Sequence, residues 1–211
     1  MIADDHPIVR EGLKQFISKT SDMTVVDEAA NGQEILDKLK TVPCDVLILD
    51  INMPGKDGFE VLLDLKKFHS DLRVLVLSIH SETQVATRVL SSGAYGFINK
   101  ETIKYDLLTA IRSVYISKKY VSPHLTEKLI DLLDRGSIKL PHERLSNREF
   151  QVFCKITSGH SQKQIADTLS ISIKTVRTYK SRILKKMNLK NEVELAHYAL
   201  KHGLIEPSGI G

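Results

Sequence analysis

Short apolar runs alternate with amphipathic segments over the first 116 residues. The apolar runs predict strands at residues 1–4, 24–29, 45–50, 73–78 and 95–98. The segments between and after them predict helices near residues 7–19, 32–41, 57–69, 81–92 and 102–117. The run at 45–50 has no polar alternation, as expected of a strand that is buried on both faces. Five strand–helix units predict an α/β fold, a doubly wound parallel sheet with helices on both sides.

The rest of the chain has a helical pattern. Ser122-Pro123 opens a predicted linker helix, and a flexible tether is expected at 134–144. Two capping boxes, starting at Ser146 and Ser161, indicate short helices, and a final amphipathic helix is predicted over 191–202. The predicted domains are therefore an α/β domain at 1–117, a linker at 118–142 and a small all-α domain at 143–211. Alternatively, the linker helix packs on the first domain as an additional element.

Polar side chains stand at the ends of the predicted strands. They are Asp4, Asp5, Asp50, Ser78 and Lys100. The carboxyl ends of parallel strands meet at one edge of a sheet, where ligands bind in α/β proteins. Each residue alone has an ordinary explanation, such as an acidic N-cap for the first helix or a solvated lysine. Together, three acids, a hydroxyl and an amine suit a divalent cation and a phosphoryl group.

The types of these side chains predict a role for each. Asp5 and Asp50 are expected to bind Mg²⁺ directly, with Asp4 acting through water and the backbone carbonyl of Asn52 completing the set. Asp50 can then act as a nucleophile toward a phosphoryl donor. Ser78 and Lys100 are expected to hold the transferred phosphoryl group, which carries nearly two negative charges.

Residues 1–117 resemble a two-component response-regulator receiver domain. The paired acids, Asp50, Ser78, Phe97 and Lys100 all stand in the family's positions. The resemblance implies the strand order 2-1-3-4-5, a phosphoaspartate at Asp50, dependence on Mg²⁺ and a sensor histidine kinase as the donor. It also implies a switch in which the ring of Phe97 swings inward, although Phe97 lacks the hydroxyl that is frequent at this position.

Two departures from the receiver pattern concern the predicted site. Only three residues precede Asp4, so the first strand is either short or truncated. Ile79 is bulkier than the residue that is usual after the switch hydroxyl. Together with Asn52 and His80, it is expected to change the lifetime of the phosphoryl group.

A basic amphipathic helix is predicted over residues 173–187. One side is apolar, with Val176, Tyr179, Ile183 and Met187. Long cations and short hydroxyls on the other side suit the DNA major groove, and Arg177 is the best candidate for a guanine contact. Thr178 and Ser181 are expected to reach base edges. Phosphate contacts are predicted for Lys174, Lys180, Arg182 and Lys185. Further contacts near the preceding helix are predicted for Gln162, Lys163 and Thr175.

The helix at 161–169, a tight connection and the basic helix predict a helix-turn-helix. Residues 143–205 resemble the NarL/FixJ (LuxR-type) DNA-binding domain, on the segments 145–149, 164–166, 169–172, 174–176 and 184–187. Two positions depart from that pattern: Tyr179 replaces a frequent histidine, and Glu192-Val193-Glu194 varies the usual basic turn. The resemblance places a dimer face on the last helix, whose residues could instead pack on the domain's own core. The candidates are Val193, Ala196, His197 and Leu200.

Charge divides the chain in the same way. Residues 1–116 carry 13 Lys and Arg against 17 Asp and Glu, whereas residues 117–211 carry 17 against 9. An acidic domain joined to one that binds a polyanion fits these numbers. Lone cysteines at 44 and 154, and no apolar stretch of membrane-spanning length, favour a cytoplasmic protein without a membrane partner.

The pattern as a whole predicts a response regulator that phosphorylation at Asp50 converts into a DNA-binding homodimer. A phosphohydrolase with an aspartate nucleophile is one alternative, but residues 50–52 place no second carboxylate two positions on. In another alternative, the second domain binds RNA or protein instead of duplex DNA.

Overall fold

The computed structural model describes residues 1–56, 58–78, 83–134 and 140–205. The chain divides into two compact units, Met1–Leu132 and Leu133–Gly211. No helix within the described ranges is both long enough and apolar enough to cross a membrane. Ile79 and His80, predicted to influence the phosphoryl group, lie outside the described residues, as do positions 57, 81 and 82 of the predicted helices.

The first unit contains a five-stranded parallel sheet in the order β2-β1-β3-β4-β5. Its strands are β1 (Ile2–Ala3), β2 (Glu28–Ala29), β3 (Val46–Asp50), β4 (Arg73–Ser78) and β5 (Gly96–Asn99). Its helices are α1 (Pro7–Ile17), α2 (Gly32–Lys38), α3 (Gly58–Phe68), α4 (Thr83–Ser91) and α5 (Ile103–Tyr115). The predicted fold class and strand order are confirmed.

The strand predicted at 24–29 is shorter in the structure. Only Glu28 and Ala29 pair with β1, because β1 itself offers only Ile2 and Ala3. Both residues of β1 pair on their other side with β3, so β1 lies in the middle of the sheet despite its length.

The core of the first unit lies on both faces of the sheet. Side chains of β3 alternate between the faces: Ile48 joins a cluster formed with α1 and α5, while Leu47 and Leu49 are buried on the opposite side. The cluster under α1 and α5 contains Leu13 and Ile111. Burial on both faces accounts for the apolar run of β3. The same packing fixes the positions of the carboxyl ends of the strands.

The chain that follows α5 closes the open edge of β5. The backbone N–H of Tyr120 donates to the carbonyl of Tyr95 at 2.9 Å, and the N–H of Phe97 donates to the carbonyl of Tyr120 at 2.9 Å. Gly96 lies between these two bonds, where a Cβ atom would be 3.1 Å from the Tyr120 carbonyl oxygen. The edge strand is therefore paired along the part that carries Phe97.

Helix α6 (Pro123–Asp134) follows this segment, at the position of the predicted linker helix. Over residues 140–205, the second unit contains a 3-10 helix and four α-helices. They are the 3-10 helix Pro141–Arg144, α7 (Asn147–Thr157), α8 (Gln162–Leu169), α9 (Ile173–Met187) and α10 (Glu192–Lys201). Both predicted capping boxes are present, at Ser146 and Ser161.

The prediction of a flexible tether is wrong for its last residues. Residues 141–144 form the 3-10 helix instead of a flexible segment, and the side chain of His142 is fully buried. Its Nδ1 atom lies 2.8 Å from the hydroxyl of Tyr198 in α10. Pro141 at the start of the helix fixes the backbone there, and the buried imidazole holds it against the domain. Residues 135–139 lie outside the described part of the chain.

A tight connection joins α8 to α9. Ser170 ends α8 in the left-handed conformation with φ of 51°, and the N–H of Ile171 donates to the carbonyl of Ala166. The Ser172 hydroxyl then accepts the N–H of Thr175 at 3.0 Å and caps α9. This connection confirms the predicted helix-turn-helix.

Candidate functional site

Four of the predicted site residues lie at the carboxyl edge of the sheet because each stands at the end of a parallel strand. Asp4 follows β1, Asp50 ends β3, Ser78 ends β4 and Lys100 follows β5. Asp4, Asp50 and Ser78 are buried, and little of the Lys100 side chain is exposed. Charged groups in such surroundings must be paired, because burial removes the water that would otherwise solvate them.

Lys100 lies between two buried carboxylates. Its Nζ atom is 2.6 Å from Asp4 Oδ2 and 2.9 Å from Asp50 Oδ2. The backbone N–H of Lys100 donates to the carbonyl of Ser78 at 2.8 Å, which fixes the loop after β5 to the end of β4. One ammonium group thus connects acids from two different strands.

The pKa values of Asp50 and Lys100 follow from this arrangement. Burial raises the pKa of Asp50, and the charge of Asp4 adds to the rise, whereas Lys100 opposes it. Burial alone would lower the pKa of Lys100, but the carboxylates of Asp50 and Asp4 outweigh that effect and raise it. Lys100 therefore stays protonated, and its positive charge offsets the cost of burying the negative charges of Asp4 and Asp50.

Asp5 completes a group of possible metal ligands. Asp4, Asp5, His6 and Asp50 each offer a ligand atom, and these atoms all lie within 4.8 Å of one another. Among the described residues, the buried Asp5 Oδ1 atom has no hydrogen-bond partner, although His6 Nδ1 lies 3.0 Å from it. A buried carboxylate oxygen without a hydrogen bond is suited to a cation, and carboxylate oxygens are the ligands that Mg²⁺ prefers.

Both oxygens of Asp4 are already in use. Oδ2 accepts from Lys100, and Oδ1 accepts the backbone N–H of His6 at 2.9 Å and lies 3.1 Å from its Nδ1 atom. Helix α1 has His6 at its N-cap without a side-chain cap bond, so the alternative of an acidic N-cap formed by Asp4 and Asp5 is wrong. The contacts of Asp4 fit an indirect role at a metal better than a direct one.

Asn52 and Phe97 occupy different parts of the same region. The backbone N–H of Asn52 donates to Asp50 Oδ1 at 3.1 Å, so the turn after β3 holds the carboxylate in place. The predicted role of the Asn52 carbonyl as a metal ligand stays a prediction. The ring of Phe97 is fully buried in β5, with its backbone paired to Tyr120.

Two residues at this edge were not anticipated from the sequence. His6 contacts both Asp4 and Asp5, and the only sequence signal was its position directly after the acid pair. Arg10 donates from Nη1 to the carbonyl oxygen of Asp4 at 2.7 Å and from Nε to Glu28 at 3.1 Å. It lies one turn into α1 and ties the end of β1 to β2, a contact that depends on three-dimensional packing.

The second candidate site is the outer face of α9. Val176, Ile183 and Met187 are buried and Tyr179 is partly buried, as the helical periodicity predicts. The opposite side is in solvent, with exposed side chains at Lys174, Arg177, Thr178, Ser181, Arg182 and Lys185. Lys163 of α8 is also exposed. A helix with one buried face and an exposed row of cations presents a surface that complements a polyanion.

Several of the predicted DNA contacts have protein partners. Arg177 donates from Nε to Gln162 Oε1 at 3.1 Å, a bond that connects α9 to α8 and orients the guanidinium group. The Thr175 hydroxyl lies 2.8 Å from that of Ser172 within the N-terminal cap. Lys180 forms an ion pair with Glu192 of α10, a contact that the sequence analysis did not predict.

Comparison with known families identifies both units. Residues 1–112 match the response regulator receiver domain, and residues 143–199 match the luxR family of bacterial regulatory proteins. The chain belongs to the LuxR-type response regulators. The predicted family is confirmed, and the protein is a DNA-binding, transcription-regulating component of a two-component system.

Relatives of this response regulator match it over nearly the whole chain. UvrY of Escherichia coli (strain K12) is 31% identical over 205 residues, 97% of this chain and 94% of UvrY. The oxygen regulatory protein NreC of Staphylococcus carnosus is 36% identical over 213 residues, with 98% of each chain covered. RcsB of Salmonella enterica serovar Typhimurium, solved with promoter P1flhDC and the phosphomimetic BeF3⁻, is 26% identical and has a TM-score of 0.68 over 95% of this chain and 96% of RcsB.

The last helix of this response regulator has an apolar exposed side. Val193 is 77% exposed and Leu200 46% exposed, His197 is exposed and Ala196 is partly buried. The core contacts of α10 are made by Leu195 and Ala199, which are fully buried. The alternative that the predicted dimer residues pack on the domain's own core is therefore wrong for Val193, His197 and Leu200.

Proposed function

We propose that a sensor histidine kinase transfers a phosphoryl group to Asp50 and that this modification promotes dimerisation and sequence-specific binding to DNA. In the transfer, a carboxylate oxygen of Asp50 forms a bond to phosphorus while the phosphorus–nitrogen bond of the donor breaks and its imidazole leaves. The proposal rests mainly on one observation, the buried Asp50 carboxylate 2.9 Å from the Lys100 ammonium.

Lys100 has two functions in this proposal. Before the transfer, its charge favours the ionised, nucleophilic form of Asp50 against the effect of burial. During the transfer, it neutralises charge that develops on the phosphoryl oxygens, which is the main contribution that a protein makes to phosphoryl transfer. Ser78, at the end of the adjacent strand, is the proposed hydroxyl partner of the bound phosphoryl group.

A magnesium ion fits the acidic residues. Asp5 and Asp50 are the proposed direct ligands, Asp4 acts through water, and the Asn52 carbonyl completes the set. The support comes from the buried Asp5 oxygen that lacks a hydrogen bond and from the predominance of carboxylate oxygen among the possible ligands. A bound Mg²⁺ supplies positive charge that screens the approaching phosphoryl group.

Phosphorylation from a small donor tests the role of Asp50. The purified protein is incubated with acetyl phosphate and Mg²⁺, and its intact mass is measured. We expect one added phosphoryl group in the wild-type protein and none in Asp50→Ala. Asp37→Ala, which removes an exposed carboxylate from α2, is the matched control and should be modified normally.

A second assay, with an organic phosphate ester in place of acetyl phosphate, separates the proposal from the phosphohydrolase alternative. Phosphate release from the ester that does not exceed one equivalent of protein supports a regulator. Multiple turnover on an organic phosphate ester would favour an enzyme, and normal phosphorylation of Asp50→Ala would remove the basis of the assignment.

For α9 we propose that Arg177 reads a base in the major groove, with Thr178 and Ser181 at neighbouring base edges. Lys174, Lys180, Arg182 and Lys185 contact phosphates, and Gln162, Lys163 and Thr175 add contacts near the turn. The exposure of most of these side chains supports this, as do the RcsB structures bound to promoter DNA. Gln162 supports the function of Arg177 by holding its guanidinium group at 3.1 Å.

Selection from a pool of random duplexes tests these roles. Arg177→Ala should relax the selected sequence at one position of each half-site, because a bidentate guanine contact discriminates by about 1–3 kcal/mol. Lys185→Ala should weaken binding to all duplexes alike and reduce the salt slope by about one unit. Preferential binding to single-stranded RNA would contradict the proposal.

A further inference from the structure

An acidic residue stands beside the cationic face of the DNA-binding domain. Glu192 is the first residue of α10, and its carboxylate forms an ion pair with Lys180 of α9. Both side chains reach solvent, with 27% of Lys180 and 47% of Glu192 exposed.

We propose that Glu192 competes with DNA phosphate for Lys180 and so lowers the part of the DNA affinity that is independent of sequence. The inference rests on the proposed DNA-binding role of α9. Contacts to phosphate provide affinity but no sequence information, so an internal carboxylate that weakens one of them increases the relative weight of base contacts. Glu192 would therefore be a specificity-determining residue without touching a base.

Lys180 differs from the other predicted phosphate-binding residues because it is paired with a carboxylate. Within the described part of the chain, the predicted phosphate-binding residues Lys174, Arg182 and Lys185 form no ion pair with a carboxylate. To bind a phosphate fully, Lys180 must release Glu192, which leaves an unpaired negative charge close to the DNA backbone. Both effects oppose binding, and both depend on the carboxylate being charged.

The start of α10 does not need this ion pair. The side chain of Asn191 accepts the N–H of Glu194 at 2.9 Å and caps the helix, and Glu194 accepts the N–H of Lys190 at 2.7 Å. An exposed ion pair adds little to the stability of a folded domain. Removing the negative charge of Glu192 should therefore change DNA binding while leaving the domain folded.

The test uses Glu192→Gln in the full-length protein. Affinity for a short duplex of arbitrary sequence is measured over a range of salt concentrations. We expect binding about two- to fivefold tighter than wild type, the range that corresponds to the loss of an exposed ion pair. The dependence on salt should become steeper by up to about 0.9, because Lys180 is then free to displace one more counterion. Thermal unfolding should be nearly unchanged.

Glu194→Gln is the matched control. It removes the same charge from the same turn, supplies an amide oxygen that can still accept the backbone N–H of Lys190, and does not involve Lys180. Equal gains in Glu192→Gln and Glu194→Gln would mean that net charge alone matters, and this result would overturn the inference.

A double-mutant cycle provides the decisive comparison. In a Lys180→Gln background, the gain from Glu192→Gln should shrink to that of Glu194→Gln. A gain from Glu192→Gln that is as large without Lys180 as with it would also overturn the inference. Failure of the proposed function is recognised separately, because then the wild-type protein itself would not bind the duplex.

Discussion

At the scale of single residues, the acidic pocket holds more negative than positive charge. Asp4, Asp5 and Asp50 are acidic, whereas Lys100 is the only lysine or arginine that forms an ion pair with any of them among the described residues. Two of the acids are buried, so their mutual repulsion is only weakly screened by water. The excess of negative charge thus lowers the stability of the first domain, a common property of functional sites.

This excess charge predicts that Asp50→Asn stabilises the first domain. Its raised pKa means that the folded protein binds a proton at Asp50 more readily than the unfolded chain does, so the wild type loses stability as pH rises through that pKa. An asparagine at position 50 carries no charge and does not lose stability in this way. The free energy of unfolding at neutral pH should therefore rise by an amount on the order of 1 kcal/mol. Urea unfolding in EDTA, which excludes bound divalent cations, measures the difference.

Asp37→Asn is a suitable control for this measurement. Lys40 holds the pKa of the exposed Asp37 below its usual value, so its replacement should leave stability unchanged or slightly reduced. A lower unfolding midpoint for Asp50→Asn than for wild type would contradict the explanation from excess charge.

The residues of the pocket were predictable to different degrees. Asp50 and Lys100 stand at the ends of apolar runs, and the parallel arrangement of strands brings such positions together whatever the details of packing. His6 and Arg10 could not be assigned in this way. Their contacts with Asp4 depend on how α1 leaves β1, which local periodicity does not determine.

At the scale of elements, β5 joins the pocket to the chain that leaves the sheet. It is followed by Lys100, it contains the buried Phe97, and it is paired at its edge with Tyr120. Sequence periodicity predicted β5 but not its edge partner, because a single pair of backbone hydrogen bonds has no pattern of side chains. Any movement of Phe97 that also shifts its backbone would act on the Tyr120 hydrogen bond.

The close approach at β5 predicts a large effect of Gly96→Ala. A Cβ atom at Gly96 would lie 2.8 Å from Leu75 Cδ1 and 3.1 Å from the Tyr120 carbonyl oxygen. We expect a loss of about 1–3 kcal/mol in the free energy of unfolding, the usual cost of overpacking. Chemical denaturation of the full-length protein measures it.

Gly12→Ala tests whether the effect is specific to the site. Apart from its chain neighbours and the backbone of its own helix, no atom lies within 4 Å of a Cβ at Gly12, in the middle of α1. Alanine should therefore stabilise that helix by up to about 1 kcal/mol. Similar effects of the two substitutions would rule out a steric clash at the sheet edge.

A second prediction at this scale concerns the contact between α7 and α9. The buried Glu149 accepts the N–H of Ser146 at 2.7 Å and the ammonium of Lys186 at 2.6 Å. Burial raises the pKa of Glu149, but Lys186 and Ser146 outweigh it and lower the pKa below its usual value. Its contribution to stability is therefore present at neutral pH and is lost as pH falls through the folded-state pKa.

Glu149→Gln should consequently reduce stability by about 1–2 kcal/mol at neutral pH, with the difference disappearing in acid. Gln164 occupies the equivalent place in the second capping box and still accepts the Ser161 N–H, so glutamine is compatible with this cap. The substitution therefore isolates the ion pair, and thermal unfolding at several pH values measures it. A difference that does not depend on pH would point to packing instead.

At the scale of the whole molecule, the two units differ in net charge and in the side chains that they expose to solvent. The charge contrast was evident from composition, and so was the separation of an α/β unit from an all-α unit. The ion pair between Lys180 and Glu192 was not, because it depends on the angle between α9 and α10. Helical periodicity assigns a residue to a face but not to a partner on another helix.

The exposed side of α10 leads to a prediction for the assembled protein. The double substitution Val193→Ser and Leu200→Ser should leave the fold and phosphorylation by acetyl phosphate intact, because both side chains are exposed to solvent and the buried residues of α10 are Leu195 and Ala199. Binding of the phosphorylated protein to a duplex with two half-sites should weaken by about tenfold, with loss of the dimeric complex. Gel mobility and sedimentation measure the two effects.

Val26→Ser provides the comparison, since it removes a half-exposed apolar side chain from the first domain. It should not affect the number of protein molecules on the DNA. An unchanged dimeric complex in the α10 double variant would exclude this face as the dimer contact.

The pairing of Tyr120 with β5 has a practical consequence for dissecting the molecule. A fragment cut before residue 118 would leave the Tyr95 carbonyl and the Phe97 N–H uncovered on a bare sheet margin. Such margins recruit strands from other molecules, so the fragment would be prone to self-association that the intact protein avoids. A fragment cut within α6 or later keeps the segment that pairs with β5. Self-association of the fragment cut before residue 118 would reflect its exposed sheet edge and not the signalling properties of the receiver.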